Sequence, residues 1–399
     1  MADSVAPGSG GHALPSAFGT TELAASARPR KKWRGLLWSV SGVLIIAASC
    51  AGVHLGANLG YDDALDSFTT AAEDAAEEQE RLAGQLSTLD ESALRASEVA
   101  DAASGSLLDS DLKTQLDETI ADAQTAQADA VSVHDEQIPE AAEKPDWAWE
   151  LFGETTQLNA DRDTAEGLAD EFEASQAEVA DAAEALDEAG FSAVTAAAEA
   201  ASSFEAAHVS ARNLDIIALR TAAERVQATE ALDDSAAAAY VDLEDAAARM
   251  LASEKAELEE KAGPLRGART EIEAFARSIA PGVLLDFDWS ARVNGYGYGD
   301  SMGGYATWWY ADPGYATIEL SNSVAEQWPS DRSKALVVHE VGHAMSIKCH
   351  DMYDDSTQEN IEAWATAWAI SMGYHDDANG TWAYGAPPQS LIDTAAKCR

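Results

Sequence analysis

Apolar residues recur through the middle of the chain at alternating steps of three and four. Leu65, Ala72, Gln79, Leu86 and Ala93 occupy one seam position, and Phe68, Ala75, Leu82 and Leu89 the other. This is the spacing of a coiled-coil seam and predicts helix. A looser run holds Leu168, Phe172, Ser175, Val179, Ala182 and Leu186. A third, over roughly 212–262, holds Ile216, Leu219, Val226, Leu232, Val241, Leu243, Leu251 and Leu258. Many seam positions are Ala, so each contact buries little area. Breaks at Ser104-Gly105, Pro139 to Gly153 and Gly263-Pro264 allow the helices to fold back antiparallel; a single long rod is the alternative. The middle break carries Trp147, Trp149 and Phe152, as helix-end caps, a hairpin tip or a docking patch.

The pattern differs at both ends. Residues 35–59 are free of charge and long enough to cross a bilayer as a helix. The basic cluster Arg28 to Arg34 before them would stay cytoplasmic. The expected organisation is a disordered cytoplasmic tail over 1–34, a transmembrane helix over 35–59 and a helical stalk over 61–262. A domain over 281–399 would then lie outside the cell membrane, tethered by a single pass. A cleaved signal peptide, or a lipid anchor at Cys50, are the competing readings.

From about residue 281 the Ala-Glu runs give way to Gly, Tyr and Trp. Val283 to Trp289, Tyr305 to Tyr310 and Tyr315 to Ser321 read as strands, with Asp312-Pro313-Gly314 as a turn. Ser330-Asp331 offers an N-cap for a helix starting near Arg332, and Gln358 to Ala369 reads as another helix. The fold class is therefore mainly α: a transmembrane helix, an Ala/Glu-rich coiled-coil stalk and a small C-terminal α+β domain.

Charge narrows the partners. The chain has 25 basic and 70 acidic residues, a formal net charge of −45. Residues 61–280 hold 14 basic and 52 acidic residues. Such a surface repels phosphate backbones, so no nucleic-acid partner is expected. The seams permit self-association. Two of the three cysteines, Cys349 and Cys398, lie in the C-terminal domain; outside the cytoplasm they are expected to pair as a disulfide, two free buried thiols being the alternative.

The chemistry concentrates in His339-Glu340-Val341-Gly342-His343. Residues four apart share a helix face, so the two imidazoles can grip one metal ion. Glu340 can reach a water on that ion. Leu336, Val337, Val338, Val341, Ala344 and Met345 make the flanks apolar. The run resembles the active-site helix of zincin metallopeptidases. That resemblance implies Zn2+, a Glu general base at Glu340, and hydrolysis of a protein or peptide substrate. Ser346 and Cys349 stand where the metzincin continuation needs Gly and His or Asp. The third ligand is then a Glu on the following helix, as in gluzincins: Glu362, with Glu359 one turn earlier as its rival. In zincins an edge strand pairs with an extended substrate, and the Ile318 segment is the candidate here. Tyr374, His375 and Tyr384 are candidates to stabilise the developing oxyanion. The opposing reading is a structural envelope protein, or a zinc-bearing binding module, whose peptidase-like domain is inactive.

Overall fold

The computed structural model describes residues 34–310 and 314–399, and for 34–46 the backbone alone. The expected cytoplasmic tail over 1–34, but for its last residue, and Asp312 and Pro313 of the expected turn, lie outside the described residues.

Helices dominate: α1 (Arg34–Ala102), α2 (Ser110–His134), α3 (Ala148–Ala207), α4 (Asn213–Gln227), α5 (Asp234–Glu260) and α6 (Arg266–Ile279). The strands β1 (Leu284–Ser290), β2 (Gly304–Trp309) and β3 (Tyr315–Ser321) follow. After them come α7 (Asn322–Glu326), α8 (Asp331–Ala344), α9 (Ser346–Cys349), α10 (Gln358–Ser371), α11 (Thr381–Tyr384) and α12 (Gln389–Ala395). The chain divides into two compact units. One holds the residues up to Thr69 with Glu140–Arg162; the other holds Thr70–Pro139 and Asp163–Arg399.

In the first unit α1 runs without a break through the segment expected to be a separate transmembrane helix. No helix among the described residues is long and apolar enough to cross a membrane. The expectations of a transmembrane helix over 35–59, and of a single-pass cell-membrane location with the C-terminal domain outside, are corrected accordingly. The physical reason is visible from Ala47 onward. There the run is diluted by Gly52, His54, Gly56 and Asn58, and burial already follows a protein-packing pattern: Ala57, Tyr61, Ala64 and Phe68 are buried. Lys144 pairs with Asp62 at 2.6 Å and lies 5.1 Å over the Tyr61 ring. Trp147 and Trp149 stack on each other at 5.0 Å and remain exposed.

In the second unit the heptads pack within one chain. Ala75, Leu82, Leu89 and Ala96 of α1, Leu116, Ala123 and Ala130 of α2, and Ala165, Phe172, Val179, Leu186 and Ala193 of α3 are all buried in one core. Each series steps by seven, the repeat that keeps a seam facing its neighbour. Lys113 donates to the Ala100 carbonyl, Gln127 to Asp90 and Gln79 to the His134 carbonyl. Rising numbers on α2 thus meet falling numbers on α1, and the two are antiparallel.

A second core surrounds the sheet, whose order is β1-β3-β2. β1 pairs with β3 in parallel, Phe287 opposite Ile318, and β2 pairs with β3 antiparallel, Ala306 opposite Ile318. The Ile318 segment is therefore the central strand. Both sides of β3 are hydrogen-bonded, so β1 and β2 are the edges, and β2 is the edge strand that lies against α8. Helix and sheet are joined by polar contacts: Asn213 at the start of α4 donates to the Ala316 carbonyl and to Asp286.

Candidate metal centre

Helix α8 starts where Ser330 caps it, its hydroxyl accepting from the Ser333 amide. Ala335, Val337, Val338, Val341 and Ala344 are fully buried, so the helix is held on most sides. Helix α10 starts at Thr357, which accepts from the Asn360 amide. The two helices approach closely at Gly342, where a Cβ would stand 2.9 Å from the Ala365 carbonyl oxygen. Any larger residue would push α10 away. This approach brings Glu362 of α10 between the two histidines of α8.

Glu362 Oε2 lies 3.1 Å from His339 Nε2 and 3.2 Å from His343 Nε2. The three groups are buried, and their ligand atoms all lie within 4.8 Å of one another. Glu359 is exposed and outside this group. The hydrogen-bond chemistry shows what the cluster needs. His339 Nδ1 is 2.9 Å from the Asn379 carbonyl oxygen. A carbonyl only accepts, so that nitrogen carries the proton. Nε2 of the neutral ring is then a lone pair facing a carboxylate lone pair. Two acceptors at that distance require a cation or a proton between them. A tetrahedral ion with bonds near 2.05 Å has ligand atoms about 3.3 Å apart along each edge, close to the two spacings here. The group can hold a metal ion.

The surroundings tune each member. Burial opposes ionisation of Glu362, but the His339 and His343 rings, when protonated, outweigh it by donating to Oε2 and hold the carboxyl well below the ordinary range. Gln358 donates to Glu362 Oε1 at 2.8 Å, leaving Oε2 for the histidines. Burial pulls His343 down, only partly offset by Glu362. For His339 burial also lowers, but Glu362 and Glu340 together raise it. The Trp308 ring lies parallel to His343 at 5.6 Å. Glu340 is 4% exposed. Burial pushes it up to about 7, His339 opposing and Glu362 reinforcing.

Beside the cluster lies a cavity of about 440 Å³. Arg332, Leu336, His339 and Glu340 line it from α8, Met302 to Gly304 from the start of β2, and Gly380, Trp382 and Tyr384 from the opposite side. Tyr384 stacks over His339 at 6.1 Å, and burial with the charges of Glu362 and Glu340 pushes its hydroxyl up to about 12. Tyr374 and His375 do not reach this cavity. The Tyr374 ring packs edge-on against Phe275 at 6.0 Å, and His375 is exposed. The chain turns at Gly373, sending both away, and returns only at residues 377–384. Asn379 and Gly304 belong to the site and carry no sequence signal, since one acts through its backbone carbonyl and the other through a missing side chain. Cys349 and Cys398 form a disulfide behind α10. Comparisons with protein-family models, curated proteins and solved structures give no match, so a functional reading starts from these converging side chains themselves.

Proposed function

We propose that the chain is a zinc-dependent peptidase with His339, His343 and Glu362 as ligands and Glu340 as general base. The observation that carries the reading is the pairing of a buried His/His/Glu group with a buried carboxylate that borders an open cavity. Zinc suits two neutral imidazoles and one carboxylate with a fourth position left open. When bound, such an ion supplies Lewis-acid polarisation and a water acidic enough to attack at neutral pH.

The chain's own residues do the rest. Glu340, whose proton affinity is matched to neutral pH by burial, accepts the proton of the attacking water and returns it to the leaving amine. Tyr384 keeps its hydroxyl protonated and can donate to the oxygen that gains charge at the scissile carbonyl. The free edge of β2 offers N–H and C=O groups to an extended peptide, which would add as a further antiparallel strand past Glu340.

Metal analysis and cleavage assays on three proteins test this. Wild type should carry one zinc per chain and cleave a casein-type substrate. His343→Ala should lose the metal. Glu340→Gln should keep it and lose on the order of 100- to 10,000-fold in rate. Equal behaviour of wild type and Glu340→Gln on every substrate would leave a metal-bearing binding module instead.

A further inference from the structure

The two ligand histidines are held differently. His343 Nδ1 is buried and has no hydrogen-bond partner among the described residues, whereas His339 Nδ1 meets the Asn379 carbonyl at 2.9 Å. That carbonyl belongs to a short turn over Asp377–Asn379, which has no ladder or long helix to keep it in place. What holds it is the side chain of the same residue. Asn379 is 1% exposed. Its amide donates to the Tyr374 carbonyl at 2.9 Å, and its Oδ1 accepts from the Thr381 amide at 3.0 Å and the Thr381 hydroxyl at 2.6 Å. The side chain is thus a brace across the loop, from Tyr374 on one side to Thr381 on the other.

The next residue closes the arrangement. Gly380 has φ 104°, a conformation that residues with a side chain rarely adopt. A Cβ there would lie 2.7 Å from His339 Cε1 and Nδ1 and would also strike Thr366 Oγ1. The imidazole therefore rests directly on backbone. The turn is tied to α8 as well: Arg332 pairs with Asp377 at 2.5 Å and with Asp376 at 3.4 Å. Arg332 precedes His339 by two helical turns, so the same helix carries both ends of the connection.

We propose that Asn379, with Gly380, is the positioning residue of the metal centre: it fixes the Nδ1–H tautomer and ring plane of His339, so that Nε2 is the nitrogen presented to the ion. The proposal rests on the metal reading given above. Outer partners of this kind set ligand orientation, and their loss weakens metal affinity on the order of 10- to 100-fold. Neither a ligand bond nor contact with substrate is required of Asn379.

Two readouts test it, neither of them catalytic. Zinc affinity is measured by competition with a chromophoric chelator, and the histidine tautomer by long-range proton–nitrogen-15 NMR of the zinc-loaded protein. Wild type should show His339 protonated at Nδ1 and ligated through Nε2. Asn379→Ala should raise the zinc dissociation constant on the order of 10- to 100-fold. Asn379→Asp keeps the acceptor for Thr381 and loses the donor to Tyr374, and should fall between the two; it also serves if the Ala variant does not fold. Wild type ligated through His339 Nδ1 overturns the proposal without any variant. Folded Asn379→Ala and Asn379→Asp with wild-type zinc affinity overturn the positioning role while leaving the metal reading intact. Wild type that takes up no divalent ion removes the metal reading, and the positioning role with it.

Discussion

Adding one methyl group at Gly304 is the smallest change that reaches the proposed chemistry. A Cβ there would collide with the Glu340 carboxylate, and the backbone of β2 cannot retreat without breaking its pairing with Leu320 of β3. Gly304→Ala should therefore move the base while leaving the three ligands in place. A displacement near 1 Å costs on the order of 100-fold in rate. The expected result is that loss of cleavage with normal zinc content, read from kinetics beside metal analysis. At this scale the sequence was legible where chemistry follows a helical repeat. His339 and His343 share a face because they are four apart, and Glu362 lies on the next long helix, α10, which packs back on α8 after the short α9. It was illegible where the path of a loop decides. Of the three candidates Tyr374, His375 and Tyr384, only Tyr384 lines the cavity. What separates them is the course of the chain through Gly373 and Gly380, both at positive φ.

Among elements, the heptads of α1 were readable because period seven survives even when many seam residues are Ala. The matching series on α3, from Leu151 through Ala193, is as regular; the sequence showed only its middle, Phe172, Val179 and Leu186, because Ala165 and Ala193 do not stand out among the other alanines. Strands were readable by their bounds and not by their order. Nothing local tells β3 that it will be central, since that depends on β1 arriving parallel from across the sheet. The last helices depend on a covalent tie. Cys349 ends α9 and Cys398 follows α12, a separation of 49 residues, and the Cys398 carbonyl accepts from the Trp368 indole at 3.0 Å. Closing a loop of that length stabilises by about 4 kcal/mol in the chain-entropy account. Cys398→Ser should lower stability by roughly that amount, measured by denaturant unfolding against wild type under non-reducing conditions.

For the second unit as a whole, the composition change near residue 281 suggested a boundary that the packing does not respect. Glu273 of α6 is 3% exposed and pairs with Lys261, the residue that caps the end of α5. Asp286 of β1 is 6% exposed and accepts from the Asn213 amide. Arg212 bridges Glu257 and Asp288. Glu273 and Asp286 are buried acids; the partners of Asp286 and Asp288 lie on the helical side of residue 281, and Lys261, the partner of Glu273, precedes Gly263. A fragment beginning at Gly263 would leave both acids without those partners, at roughly 1–3 kcal/mol or more for each. It should melt well below the full chain, or fail to give a near-ultraviolet circular dichroism signal. The helices before residue 262 are thus part of what keeps the sheet, and through it β2, in place.

The indole of Trp308, lying parallel to the His343 ring, would give the protein an optical gauge of any ion held there. Charge arriving beneath that ring alters its emission, and a coloured ion such as cobalt would drain its excited state. The chain has 11 tryptophans, so the gauge is read as the difference between wild type and Trp308→Phe during titration. A change on ion addition that disappears in the variant would report loading in real time, with no label and no substrate.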